Sequence, residues 1–165
     1  MYHYIFDLDW TLYSEKDVDV STDTKYYKSF ERKPLLNKLL KSLNGNKYIF
    51  SNGNKDHVDE VMDKMKLKSF FNNSANSDEF PNNLKPDELA YNYVINKFNL
   101  DKKIPTFFFE DTLENLETAK KFGWITILIG DKFYNKYSYV DYIFPTIEKA
   151  LIFLTSKPYK KTLKL

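Results

Sequence analysis

The chain contains no cysteine, which excludes a disulfide framework, a thiolate metal site and a cysteine nucleophile. Histidine is nearly absent as well. His3 and His57 lie far apart in sequence, so a histidine-rich transition-metal centre is not expected, and any metal should be a hard cation such as Mg²⁺ or Ca²⁺ held by oxygen. An excess of one charge is also missing: 25 basic against 23 acidic residues leave a net charge of +2, too weak a field to argue for nucleic acid. The basic run from Lys157 to Lys164 reads as a solvated terminus. No stretch approaches the roughly 18 apolar residues of a membrane span, and the opening lacks the cationic start of a signal peptide. The expectation is a cytoplasmic protein with no membrane partner.

What is present suits one folded unit. At 165 residues the chain fits a single compact domain, 1–165. Its 42% hydrophobic and 18% aromatic residues can fill a core, which excludes disordered and collagen-like classes. Short apolar runs at 2–6, 47–50, 106–109, 124–129 and 140–144 read as buried strands, because they are too short for helices and rich in β-branched and aromatic residues. Between them lie helical stripes: leucines from Leu35 to Leu43 behind Pro34; Val58, Val61, Met62 and Met65; Ala90, Tyr93, Val94 and Phe98; Leu113, Leu116 and Ala119; and a last helix over 146–154. Residues 13–31 read as a loop or small hairpin, and the Asn-, Ser- and Pro-rich segment 71–86 as a loop. Gly53 permits a tight turn after Ser51-Asn52. Strands alternating with helices predict a doubly wound α/β fold, a mostly parallel sheet covered on both faces. In such sheets ligands bind outside the carboxyl ends of the strands.

Polar clusters fall at those ends: Asp7 and Asp9, Ser51 and Asn52, Lys85 in a loop, and Glu110 with Asp111. Asp7 and Asp9, two apart where strand gives way to loop, can approach one site if the backbone leaves strand geometry. Neighbouring carboxylates titrate together and one pKa rises, which divides them into an ionised nucleophile and a protonated general acid. Acidic groups at two strand ends offer oxygen ligands for Mg²⁺, while Lys85 and the Ser51 hydroxyl offset the charge of a transferring phosphoryl group. Phosphoryl transfer to an aspartate needs these parts. A P-loop enzyme is excluded, since no Gly-x-x-x-x-Gly-Lys-Ser/Thr occurs. In a response-regulator receiver the contiguous acidic pair comes on the first strand, whereas here it comes last.

These residues resemble the motif set of the haloacid dehalogenase superfamily of phosphohydrolases. Asp7-Leu8-Asp9-Trp10-Thr11 matches its Asp-x-Asp-x-Thr motif, Ser51 the second motif, Lys85 the third and Glu110-Asp111 the fourth, in the family's order from about residue 2 to 130. The strings Phe-Asp-Leu-Asp-x-Thr-Leu-Tyr, Tyr-Ile-Phe-Ser-Asn-Gly and Phe-Phe-Glu-Asp-Thr-Leu-Glu-Asn-Leu are most similar to the pyrimidine 5′-nucleotidase branch. The resemblance implies that Asp7 attacks phosphorus and that Asp9 protonates the leaving oxygen and later deprotonates water. It implies that Ser51 and the Asn52 backbone hold the phosphoryl oxygens, that Lys85 neutralises charge between nucleophile and phosphate, and that Thr11 braces the loop beside the substrate. Asp7, the Asp9 carbonyl, Glu110 and Asp111 would surround Mg²⁺.

Three departures qualify it. Glu110 stands where the family often has Asp, which lengthens its reach and makes Asp111 the more secure ligand. Trp10 either walls the pocket or packs on neighbouring loops. The helical cap is reduced: Asp9 to Ser51 spans 42 positions, and once Pro34 to Phe50 is assigned to the core only about 20 residues remain, against mean helix lengths of about 11–12. The reduced cap or hairpin insertion at 13–31 would leave the site open to a small-molecule or macromolecular phosphorylated substrate, or to cover by a second copy of the chain. Tyr13, Tyr26, Tyr27 and Phe30 could stack on a nucleobase, although packing is the simpler account of them. A phosphotransferase using the same phospho-aspartate and a catalytically silent binding module remain alternatives.

Overall fold

The computed structural model describes residues 1–80, 82–130 and 137–156. Five strands stand where alternation of apolar runs and helical stripes places them: β1 Tyr2–Phe6, β2 Gly45–Phe50, β4 Thr106–Glu110, β5 Ile125–Ile129 and β6 Tyr142–Phe144. A short sixth, β3 Asn73–Ala75, pairs with β2 through Tyr48↔Asn73, Ile49↔Ser74 and Phe50↔Ala75. It corrects the reading of 71–86 as loop alone. Asn-Ser-Ala has no β-forming or apolar pattern, and the strand exists because β2 offers it a free edge. The sheet is parallel throughout, in the order β3-β2-β1-β4-β5-β6.

The helices are α1 Asp23–Ser29, α2 Pro34–Ser42, α3 Lys55–Lys64, α4 Glu88–Lys97, α5 Leu113–Lys121 and α6 Ile147–Thr155. Alternate residues of the central strands face opposite layers. Tyr4, Phe6, Phe107 and Phe109 pack with Leu36, Leu40, Val58, Val61 and Leu151 of α2, α3 and α6. Ile5, Phe50, Phe108 and Leu128 pack with Ala90, Tyr91, Val94 and Leu116 of α4 and α5. Phe6 and Phe109 stack at 4.4 Å between centroids, bolting β1 to β4. Each fully buried Phe contributes roughly 1.5–3 kcal/mol of transfer free energy, so the centre of the sheet is its firmest part. None of the described helices is long and apolar enough to cross a membrane.

Residues 13–31 hold a 3₁₀ turn at Glu15–Asp17 and the seven-residue helix α1, where a loop or small hairpin was expected. Thr22 caps α1 by accepting a hydrogen bond from the Lys25 N–H at 3.2 Å. Tyr26 and Phe30, four apart, then fall on one side and pack on Tyr13. The Lys157–Lys164 run lies outside the described residues.

His3 on β1 is the odd group in the core. It is 3% exposed and neither ring nitrogen has a hydrogen-bond partner among the described residues. Burial lowers its pKa, with Asp101 pulling weakly the other way. The unfolded chain therefore binds this proton more readily than the folded one, and the fold loses stability as pH falls below the unfolded value of 6.5. His3→Phe removes an unpaired buried polar group and is expected to stabilise by about 1–3 kcal/mol. Urea unfolding at pH 7 and pH 5.5 should show a larger gain at the lower pH.

Candidate active site

The sheet order reverses around β1, which lies between β2 and β4, and the crevice beyond their carboxyl ends collects the predicted residues. β1 stops at Phe6, and the loop that follows turns through Trp10, whose φ of 59° lies in the left-handed region. A non-glycine residue there is uncommon. The turn lets Asp7 and Asp9 leave the strand without pointing to opposite faces. The packing reading of Trp10 fits: its ring meets Tyr13 edge-on at 5.4 Å, and it also lines a cleft of about 780 Å³ with Thr11, Arg32, Lys33 and Ile147. The Asp7 and Asp9 carboxylates do not line that cleft, whereas the loop residues from Trp10 to Ser14 do.

Lys85 reaches the centre of the crevice. Its ammonium donates to Asp7 Oδ1 at 2.7 Å, Glu110 Oε1 at 2.9 Å and the Phe50 carbonyl at 2.8 Å, all three donors being used. Asn52 fixes the lysine backbone on both sides, its amide donating to the Lys85 carbonyl at 2.9 Å and its oxygen accepting from the Lys85 N–H at 3.0 Å. The Asn52 side chain thus serves Lys85, which leaves only its backbone for the expected phosphate contact. Burial works against the charge on Lys85, but Asp7 and Glu110 raise its pKa further and keep it cationic.

Glu110 is 1% exposed and fully engaged. Oε1 accepts from Lys85 and from the Asn115 amide at 2.6 Å, while Oε2 accepts from the backbone of Asp111 at 2.7 Å and Thr112 at 2.8 Å. Burial alone would raise its pKa, yet Lys85 and these donors hold it below the ordinary value. The extra methylene of Glu over Asp lets the carboxylate curl back onto its own loop. Oxygen atoms of Asp7, Glu110 and Asp111 lie within 4.8 Å of one another, a hard-oxygen donor set that suits a divalent cation. The Asp9 side chain is outside that set.

The two aspartates titrate opposite to expectation. Burial, with Glu110 adding like charge, pushes the Asp7 carboxyl up despite Lys85. Burial acts the same way on Asp9, but hydrogen bonds from His57 and Tyr13 outweigh it and hold the Asp9 carboxyl below its usual range. Division of labour read from two adjacent carboxylates alone misses these donors. Ser51 Oγ accepts from the Gly53 N–H at 2.9 Å and stands 3.5 Å from Asp9 Oδ2. Thr11 is buried, and its hydroxyl has no hydrogen-bond partner among the described residues.

Three residues touch the site carboxylates in a way the sequence does not foretell. His57 Nε2 lies 2.6 Å from Asp9 Oδ1, and its Nδ1 lies 2.8 Å from the Tyr27 hydroxyl. Tyr13 hydrogen-bonds both Asp9 and Tyr26. Asn115 orients Glu110. The usable signal was position: His57 and Asn115 are in the first turns of α3 and α5, which the topology directs to the same crevice. Gly53 lies in the bend after Ser51 and has a second purpose there. A Cβ there would come within 2.7 Å of His57 Cδ2, so glycine is needed for room. Tyr13 and Phe30 are buried in the aromatic cluster.

Comparison with known proteins agrees with this geometry. Residues 24–129, more than half of the chain, match the family model described as haloacid dehalogenase-like hydrolase. Asp7, Asp9 and Thr11 precede the matched segment. No curated protein matches. Among solved structures, a HAD phosphatase from Thermococcus onnurineus superposes with a TM-score of 0.73 at 15% identity, over 93% of this chain and 98% of that one. An L-2-haloacid dehalogenase from Xanthobacter autotrophicus gives 0.70 at 12% identity, over 95% and 100%. A haloacid dehalogenase-like family hydrolase from Streptococcus pneumoniae gives 0.65 at 14%, over 93% and 98%. At these identities the likeness concerns the fold, and phosphatases and dehalogenases share it.

Proposed function

Because the chain belongs to the haloacid dehalogenase-like hydrolases, we propose that it is a Mg²⁺-dependent phosphomonoesterase working through an aspartyl-phosphate on Asp7. The observation that carries this reading is the second carboxylate, Asp9, held within the nucleophile loop beside Ser51 and in addition to the Asp7, Glu110 and Asp111 oxygens. A halide departs as a stable anion and needs no proton, whereas an ester oxygen does; Asp9 answers that need. A divalent cation held by the acidic set would likewise have no phosphoryl charge to offset at a carbon–halogen bond.

An Asp7 oxygen forms a bond to phosphorus while the bond to the ester oxygen breaks, and that oxygen leaves with a proton from Asp9. A dianionic phosphate brought against Asp9 favours its protonated form, since like charge raises a carboxyl pKa. In the second step water attacks the phosphoryl group, its proton passes to the Asp9 carboxylate, and Asp7 is released. Ser51 and the Asn52 N–H hold phosphoryl oxygens, and Lys85 counters part of the burial cost of the Asp7 anion. Asp7, Asp111 and the Asp9 carbonyl would hold Mg²⁺, with Glu110 committed to Lys85 and to its own loop. Bound there, Mg²⁺ supplies positive charge that favours ionised Asp7 and offsets the phosphoryl oxygens.

The motif strings favour a nucleotide, and the short insertion at 13–31, a reduced cap, also suits a larger phosphorylated substrate or cover by a second copy. Incubating the purified chain separately with p-nitrophenyl phosphate and with a 2-chlorocarboxylate tests the reading. Phosphate release that requires Mg²⁺, stops with EDTA and returns on Mg²⁺ addition is expected, with no chloride from the second compound. Chloride release without phosphate release would overturn it in favour of a dehalogenase, and neither product would favour a silent binding module.

A further inference from the structure

His57 and the insertion helix do something that nucleophile, lysine and acidic set do not explain. The Asp9 carboxylate is gripped from two directions. His57 Nε2, from the first turn of α3, meets Oδ1 at 2.6 Å, and the Tyr13 hydroxyl bonds the same oxygen. Each of these partners is in turn held by a tyrosine of α1: His57 Nδ1 lies 2.8 Å from the Tyr27 hydroxyl, and Tyr13 bonds Tyr26. The Tyr26 ring also lies nearly parallel to the His57 ring, 6.1 Å away. The histidine side chain is only 17% exposed, and its seat is tight enough that residue 53 must lack a Cβ. A seven-residue helix too short to roof the site thus has two hydroxyls tied to groups that touch one carboxylate.

We infer that His57, oriented by Tyr27, is a positioning residue that sets the direction of the Asp9 carboxyl toward the leaving oxygen, so that the short insertion acts as a brace for the acid rather than as a cover. The inference rests on the phosphatase reading and deepens it. Asp9 has freely rotating χ angles, and a proton donor aids bond breaking only when it is within hydrogen-bond reach of the departing atom. The step itself is unchanged: the Asp9 O–H bond breaks, its proton goes to the ester oxygen, and the electron pair of the P–O bond leaves with that oxygen.

The test compares p-nitrophenyl phosphate with phenyl phosphate. Both present the same ring, but the phenolate is far more basic and depends more on a well-aimed proton. In kcat/KM, which reports the step up to release of the phenol, His57→Leu should lower phenyl phosphate turnover on the order of 10-fold more than p-nitrophenyl phosphate turnover. His57→Gln, whose amide can donate toward Asp9, should recover part of the difference, and Tyr27→Phe should shift the ratio in the same direction by a smaller factor. Equal losses on both substrates would overturn the inference, because a general loosening of the fold does not sense leaving-group basicity. If His57→Leu fails to fold, Tyr27→Phe, which removes a single oxygen, decides the question: an unchanged ratio refutes it. Failure of the wild-type chain to hydrolyse either ester would instead refute the phosphatase reading beneath it.

Discussion

Asp7→Asn should abolish phosphate release, by at least about 10⁴-fold in kcat, the scale of loss seen when a nucleophile that acts with its partners is removed. The amide is nearly isosteric with the carboxylate but has no anionic oxygen to bond to phosphorus. The fold should survive. Lys85 keeps the Glu110 carboxylate at 2.9 Å and the Phe50 carbonyl at 2.8 Å, so its charge stays compensated, and Asp7 was itself a costly buried anion, pushed up by burial. Circular dichroism and urea unfolding close to wild type, together with lost turnover, are the expected pair of results. Turnover near wild type would exclude a covalent intermediate on Asp7.

Lys85→Met should do more harm to the protein than to any single contact. Removing the ammonium leaves Asp7 and Glu110, 6% and 1% exposed, as two buried carboxylates with no cation between them. Breaking a buried pair in this way costs about 3–5 kcal/mol, which in a chain of this size lowers Tm by roughly 10 °C. The pH dependence should carry the signature of the cause. Without Lys85 the two carboxyls have folded-state pKa values above their unfolded ones, so the folded state binds more protons and stability falls as pH rises. The variant should therefore recover stability, relative to wild type, as pH is lowered from 7 to 5. Glu110→Gln added to Lys85→Met should restore part of the loss at pH 7. Chemical denaturation across pH reads all three, and a loss independent of pH would show that the lysine acts through its aliphatic stem instead.

Most of the sheet was legible because its strands are buried on both faces. A run such as Thr-Phe-Phe-Phe-Glu has only one sensible fate between two helical stripes, and the βαβ alternation directs the carboxyl ends of β1, β2 and β4 to one side of the sheet. Asn73–Ala75 was not legible, since its pairing depends on a neighbour rather than on its own side chains. The helix α1 was hidden for a related reason: its packing residues Tyr26 and Tyr27 stand in an otherwise polar segment, and its cap at Thr22 has several equally good candidates beside it. Motif spacing located Asp7, Asp9, Ser51, Lys85, Glu110 and Asp111. The motif resemblance gives the proton to Asp9, but the shift of each carboxyl was not legible, because Asp9 is held down by His57 and Tyr13, donors brought in from α3 and from the loop turn. Sequence separation of 48 residues between Asp9 and His57 has no local signature.

The two margins of the described sheet are β3 and β6, each three residues long. Strands of that length offer few unpaired amides to another chain, and short edges are one way in which proteins discourage sheet extension. Assembly by adding strands side by side is therefore disfavoured at both ends. A neighbour that narrows access to Asp7 would have to approach along the strand direction, over the loops, and would be recruited by surface shape and charge rather than by backbone hydrogen bonding.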